Sequence, residues 1–161
     1  MLCATIYRNN YTMAQQLVAK NRKAFHDYEI LDRFEAGILL MGTEVKALRE
    51  HRVNLKDSYA HISDGEVWLE NCHISPYSHG NMQNHDPLRS RKLLLHRREI
   101  DKLTGDTLKS GLTIVPLSIY FKRGKAKIEI GLARGKKLYD KRETARRKAI
   151  DREIESELKR R

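Results

Sequence analysis

The 161-residue chain has little of what would mark the main alternatives to a small basic globular domain. It has two cysteines, Cys3 and Cys72, far apart in sequence. Two thiols make neither a disulfide framework nor a four-thiolate zinc site, so reduced cytosolic cysteines are expected. No apolar run approaches the ~18 residues of a membrane-spanning helix, which excludes a helical span. The N-terminal MLCATIYRNNYT has neither a charged n-region nor an apolar h-region, so no secretory signal is expected. Aromatic residues make up only 7%, with a single Trp, which argues against a protein built mainly of stacking platforms. Acidic residues are also scarce: 21 Asp+Glu face 32 Lys+Arg, a formal net charge of +11. The 40% hydrophobic fraction is enough for one core at this length, and the 33% charged fraction gives a very polar surface. Such a charge without a membrane segment calls for a polyanion, with nucleic acid ahead of an anionic membrane surface. A cytoplasmic protein with no membrane attachment is expected.

Three segments are expected. Residues 1–20 lack strong periodicity and read as a flexible N-terminal extension, with Met13 as an alternative start. Residues 21–133 read as the folded domain, and residues 134–161 as a basic tail. The tail holds 12 Lys+Arg against 6 Asp+Glu, a net +6, while the remaining 133 residues carry 20 against 15, a net +5. Ile150, Ile154 and Leu158 recur every fourth residue. That stripe is too thin to hold a helix on a core, so the tail is expected to be disordered alone and helical on a partner.

Within 21–133, Tyr28, Ile30 and Asp32–Phe34 alternate as a strand, Gly37 interrupts, and Ile38–Leu40 continue. Thr43 is placed to cap a helix in which Val45, Leu48 and His51/Arg52 recur. Ser58–Ile62 and Glu66–Glu70 form a hairpin around Asp64-Gly65. Residues 75–87 read as a loop and Leu88–Leu103 as a helix presenting Leu93, Leu94, Ile100 and Leu103 to a core. Gly105–Gly111 reads as a turn or short helical excursion. Thr113–Lys122 is a strand in which Pro116 marks an edge or bulge. After a turn at Arg123-Gly124, Lys125–Ala133 returns with Ala126, Ile128 and Ile130 on one face and Lys127 and Glu129 on the other. The fold class expected is mainly β with inserted α-helices: an OB-like, closed or nearly closed antiparallel barrel.

Chemistry-bearing constellations are few. His73, His79 and His85, with Cys72 and Asp86, are scattered across one loop region at no ligand-like spacing, so no metal and no cofactor are expected. There is no nucleophile elbow, no phosphate-cradling glycine loop and no fixed acid–base pair, so no enzyme is expected. The strongest signal is four basic clusters: NRKAFH with Arg22 and Lys23, PLRSRKLLLHRR with Arg89, Arg91 and Lys92, FKRGKAK, and ARGKKLYDKRETARRK. One such run is usually a solvated face. Four together point to a phosphate backbone and a steep salt dependence. Interleaved Phe25, Tyr59, Tyr77, Tyr120 and Tyr139 offer stacking partners for unpaired bases, which favours RNA over duplex DNA.

Read in order, NRKAFHDYEILDRFEAGILLMGTEVKALRE, DSYAHISDGEVWLENCHISPY, NHDPLRSRKLLLHRREI and VPLSIYFKRGKAKIEIGLARGKKLYDKRE closely resemble the SsrA-binding protein family, also called small protein B. The resemblance runs from Asn21 to about Arg152. It implies a non-enzymatic factor that binds transfer-messenger RNA and carries it to stalled ribosomes. The implied barrel packs on the tRNA-like domain near its elbow, and the implied tail enters the empty decoding site and mRNA channel. The implied RNA-binding residues are Asn21, His26, Glu35, Tyr59 and the RKLLL block (Arg91 and Lys92) with Leu94; Lys127 and Arg134 are candidate phosphate contacts, and the basic clusters add Arg22, Lys23 and Arg89 as RNA-binding candidates. The implied decoding-site residues are Gly135, Lys136, Lys137, Tyr139, Asp140, Lys141 and Arg142. His96 stands where some members carry Asn, and Tyr139 where some carry His. A monomer is expected in the absence of RNA.

Overall fold

The computed structural model describes residues 16–77, 84–108 and 111–137, together with Ala149, Ile150 and Arg152. Twelve elements are defined among them. They are β1 (Gln16–Lys20), α1 (Arg22–Asp27), β2 (Tyr28–Ile38), α2 (Gly42–Arg49), β3 (Val53–Asn54), β4 (Tyr59–Ser63) and β5 (Glu66–Glu70). They continue with β6 (His73–Ile74), β7 (Arg91–Leu94), α3 (Arg97–Thr107), β8 (Leu112–Lys122) and β9 (Lys125–Gly135).

Antiparallel pairing runs β8-β4-β5-β7-β2-β9 and returns through β9–β8, so six strands form a hydrogen-bonded ring. Closure removes the open edges that a sheet of this size would expose. β1 adds outside the ring, against the far half of β8. β3 and β6 pair separately as a two-residue ribbon. The expected antiparallel barrel with inserted helices is thus the architecture found.

The interior is filled by alternate residues of the ring strands: Phe34 and Ala36 from β2, Val67 and Leu69 from β5, Leu93 from β7, Ile119 from β8, and Ile128 and Ile130 from β9. Leu48 of α2 and Leu103 of α3 complete it. β8 is buried on both faces. Val115 and Leu117 turn away from the barrel interior and pack with Ala24 of α1 and Ala133 of β9. The register shift between Pro116 and Ser118 lets one strand serve both layers. Pro116 therefore marks a bulge in a central strand. Both two-residue hairpin turns are as the sequence suggests: Asp64 and Gly65 have φ of 53° and 71°, and Arg123 and Gly124 have 51° and 75°.

Several expectations give way. Within the expected extension, Gln16–Lys20 form β1, which pairs with β8. The segment 21–27 is a helix capped by Asn21, whose side chain accepts the Ala24 N–H at 3.0 Å. Gly37 does not break β2. A Cβ there would lie 3.2 Å from the Cβ of Leu94 on the paired strand, so glycine lets β7 approach. The cap of α2 is Met41 and not Thr43; the Glu44 carboxylate accepts the Met41 N–H at 2.7 Å, while the Thr43 hydroxyl meets His85. The helix expected over 88–103 is in fact β7 followed by α3, which starts only at Arg97. At the far end, β9 continues two residues past Ala133, and the Lys136 N–H donates to the Asp27 carbonyl at 2.9 Å.

Candidate nucleic-acid interface

Both ends of the long β2 strand carry charged and aromatic groups. Tyr28 and Glu35 are seven residues apart, about 23 Å along an extended strand. At one end β2 pairs Tyr28 with Gly135, and at the other it pairs Gly37 with Lys127. The sequence-predicted residues divide between these ends.

The first group is centred on Glu35. It faces outward from β2 between β9 and the adjoining β8. The Tyr120 hydroxyl donates to its carboxylate at 2.6 Å. Lys122 donates to both oxygens, at 2.8 and 3.1 Å, and the Lys127 ammonium lies 3.9 Å away. The Lys122 hydrogen bond, then that of Tyr120, holds the carboxyl below its ordinary range, against a smaller opposing push from burial. Glu35 is therefore ionised and fixes two cations and a phenol on one surface. Beside it, Leu94 is 51% exposed over the space that Gly37 leaves open. An exposed apolar side chain flanked by lysines suits a sugar or base edge beside a phosphate.

The second group is built on α1. Arg22, Lys23 and His26 are exposed on this helix. Lys23 pairs with Asp57 at 2.5 Å, and His26 sits 2.9 Å from Asp27. The Lys23–Asp57 contact raises the lysine and lowers the aspartate from their ordinary values, chiefly through their hydrogen bond. Tyr59 of β4 is 44% exposed. Together with Tyr28, Lys23, Asp27 and Asp57 it borders a cleft of ≈ 350 Å³. Arg134, Gly135 and Lys137 are exposed at the adjoining end of β9. The Lys136 ammonium turns back to the Phe25 carbonyl at 3.1 Å.

Two expected contact residues lie inside the protein. Asn21 is only 6% exposed, and its amide donates to the Leu55 and Pro116 carbonyls, each at 3.0 Å. It anchors α1 to β8 and so positions the second group. Arg91 is completely buried, with its guanidinium donating to Glu44 at 2.8 Å and to the Cys72 carbonyl at 2.6 Å. Arg89 is half-buried and also holds Glu44, at 2.5 and 2.9 Å. Burial is the largest effect on the Glu44 carboxyl and would push it up. The Arg89 and Met41 hydrogen bonds and the two arginine charges together outweigh it and keep it ionised. Lys92 points outward from the same strand and pairs with Glu66. Tyr139, Asp140, Lys141 and Arg142 lie outside the described residues.

Of the loop histidines, His79 lies outside the described residues, and His73 and His85 have different surroundings. His73 is exposed, whereas His85 is buried with one ring nitrogen 3.0 Å from the Thr43 hydroxyl and the other 3.0 Å from the Ile74 carbonyl. Among the described residues no three His, Cys, Asp or Glu side chains come together as a metal site. Burial raises the Cys72 thiol to about 11, which leaves it unreactive.

Sequence reasoning missed the partners that organise the first group. Tyr120 and Lys122 lie on a strand read for its apolar alternation, and Lys122 sits at its end. Lys122 was visible in FKRGKAK and Tyr120 among the interleaved aromatics, but their convergence on Glu35 depends on the β2–β9–β8 pairing.

A positively charged antiparallel barrel with outward lysine, tyrosine and arginine groups at both ends defines an RNA-binding class of barrel protein. The family model described as SmpB protein matches residues 18–160. The SsrA-binding protein of Syntrophobacter fumaroxidans is 58% identical over 146 residues, covering 91% of each chain. That of Carboxydothermus hydrogenoformans is 59% identical over 145 residues, covering 90% of this chain and 97% of its own. A solved chain from "tmRNA-SmpB: a journey to the center of the bacterial ribosome" superposes with a TM-score of 0.64 at 55% identity, covering 74% of this chain and 85% of its own. The chain belongs to the SmpB family of SsrA-binding proteins.

Proposed function

We propose that this protein binds transfer-messenger RNA and delivers it to stalled ribosomes in trans-translation, acting in the cytoplasm as an RNA-binding factor and not as an enzyme. Identity near 60% to SsrA-binding proteins over nine-tenths of the chain carries this reading. The two ends of the barrel support a division of labour. The Glu35 group, with Lys122, Lys127 and Leu94, takes the tRNA-like domain through phosphate contacts and a fitted edge. The α1 group faces the ribosome, because the chain leaves the barrel beside it, where Gly135 pairs with Tyr28 and Lys136 is tied to Asp27. From there Tyr139, Asp140, Lys141 and Arg142 reach the empty decoding site, and the remaining tail follows the mRNA channel. The barrel with its RNA replaces a tRNA body, and the tail stands in for codon–anticodon pairing.

Truncation after Lys137 tests this while leaving the Lys136 anchor in place. Gel-shift binding of transfer-messenger RNA should persist, and peptide tagging in a reconstituted system should disappear. Equal loss of both activities would overturn the division. Alanine at Asp140, Lys141 and Arg142 together should give the same separation.

A further inference from the structure

At the turn end of the β8–β9 hairpin lies a second cleft, of ≈ 440 Å³, lined by Gln16, Arg49, Phe121, Arg123 and Gly124. Its size falls within the range of small-ligand clefts. Its lining holds two arginines, one amide and no carboxylate. Elsewhere on the barrel exposed cations are commonly matched: Lys23 with Asp57, Lys92 with Glu66, Lys102 with Asp32 and Lys122 with Glu35. Arg49 stands over the Phe121 ring, 6.0 Å from its centroid, which orients the guanidinium and leaves its donors unmatched by any acid of the cleft.

The turn supplies an independent observation. Arg123 has φ of 51°, in the left-handed region, as the first residue of a two-residue hairpin. Asn or Asp followed by Gly suits that position, whereas a long side chain there carries a local cost. The chain carries an arginine where the backbone favours asparagine, and that arginine is one of the residues lining the cleft. Strain retained at such a position is a mark of function.

We infer that Arg49 and Arg123 form a clamp for a backbone phosphodiester of the RNA bound by the barrel. Arginine forks match phosphate oxygens in pairs, and the Gln16 amide adds a neutral donor. Lys122 of the Glu35 group ends β8 and Arg123 begins the turn that follows, so the clamp lies round the hairpin tip from that group, on the Phe121 side of the strand. It rests on the proposed RNA-binding function and extends that surface around the hairpin tip.

The test uses full-length protein and a transcript of the tRNA-like domain. Dissociation constants are measured at several salt concentrations for the wild type, Arg49→Ala, Arg123→Asn and the double variant, with thermal melts alongside. Arg123→Asn should melt at or above the wild-type temperature, because asparagine suits the turn. It should nevertheless bind RNA roughly tenfold more weakly at low salt, as expected for a lost charge-assisted contact. The double variant should also flatten the salt dependence by about one unit of slope per phosphate released. Arg49→Lys should keep the slope and lose part of the affinity. Unchanged affinity and slope in the double variant, beside a wild type that binds, would overturn the clamp alone. A wild type that fails to bind the transcript would overturn the RNA-binding reading with it.

Discussion

Glu44 and Glu35 each hold two cations, and burial separates what the two carboxylates do. Glu44 lies in the protein interior against Arg91 and Arg89. Its partners fix the start of α2, the Cys72 strand connection and β7 to one another. Glu35 lies on the surface against Lys122 and Lys127. Its partners are available to exchange a carboxylate oxygen for a phosphate oxygen. A buried triad, once formed, cannot lose a member cheaply, because the remaining charge has no water to turn to. An exposed cluster adds little to stability, because water and salt compete at every contact. The same chemical grouping is therefore a structural joint in one place and, in the function proposed, a binding surface in the other.

Glu44→Ala should break this comparison most forcefully. It strands the fully buried Arg91 and unpairs the half-buried Arg89, and should cost about 3–5 kcal/mol in denaturant unfolding. Acid should do the same to the wild type. The Glu44 carboxyl is held below its ordinary 4.5 in the folded state, so its contribution is complete above that pH. It is lost as the pH falls from 4.5 through the depressed folded value. Loss of stability with acid should therefore be shallower in Glu44→Ala than in the wild type.

Alkylation of Cys72 gives a local readout of the same joint. In a Cys3→Ser background the buried thiol should react slowly with iodoacetamide, and Glu44→Ala should accelerate it strongly. Glu35→Ala should leave that rate unchanged. If both variants accelerate it alike, Glu35 is a second structural joint.

Glu35→Ala should shift unfolding by no more than about 1 kcal/mol. It should weaken binding of transfer-messenger RNA roughly tenfold, because Lys122 and the Tyr120 hydroxyl lose their common anchor. An unchanged dissociation constant across salt concentrations would make Glu35 a bystander. Lys127→Ala should have the mildest effect: unaltered melting, modestly weaker binding and a salt slope flatter by about one.

Much of the barrel was legible in the chain. Asp64-Gly65 marked its hairpin because few residue pairs tolerate two positive φ angles in succession, and Gly124 marked the second. The alternation of Ile128 and Ile130 with Lys127 and Glu129 gave the two faces of β9. RKLLL misled for a physical reason. Arg91 occupies an inward position, so the strand pattern Arg91-in, Lys92-out, Leu93-in, Leu94-out looks like a basic patch followed by an apolar helix. The buried Glu44 carboxylate, with the carbonyls of Cys72, Pro87 and Arg89, makes an inward arginine tolerable. Asn21 concealed itself similarly: its polar amide suggests a surface, but two carbonyls and an N–H satisfy it in the interior.

By itself the sequence determined the charge, the turns, the alternating strands and the ordered motifs that mark the SmpB family. These depend on local backbone preferences and on composition, which are properties of residues near one another in the chain. The tertiary structure alone decided which charges face water and which are paired inside. It also decided that Glu35, Tyr120, Lys122 and Lys127 meet, and that the two candidate RNA surfaces lie at opposite ends of β2. A charged side chain acquires its role from the partners and the dielectric that distant strands bring to it. Glu44 pairs with arginines 45 and 47 residues away, and Glu35 with a tyrosine 85 residues away, so only the folded barrel brings these groups together.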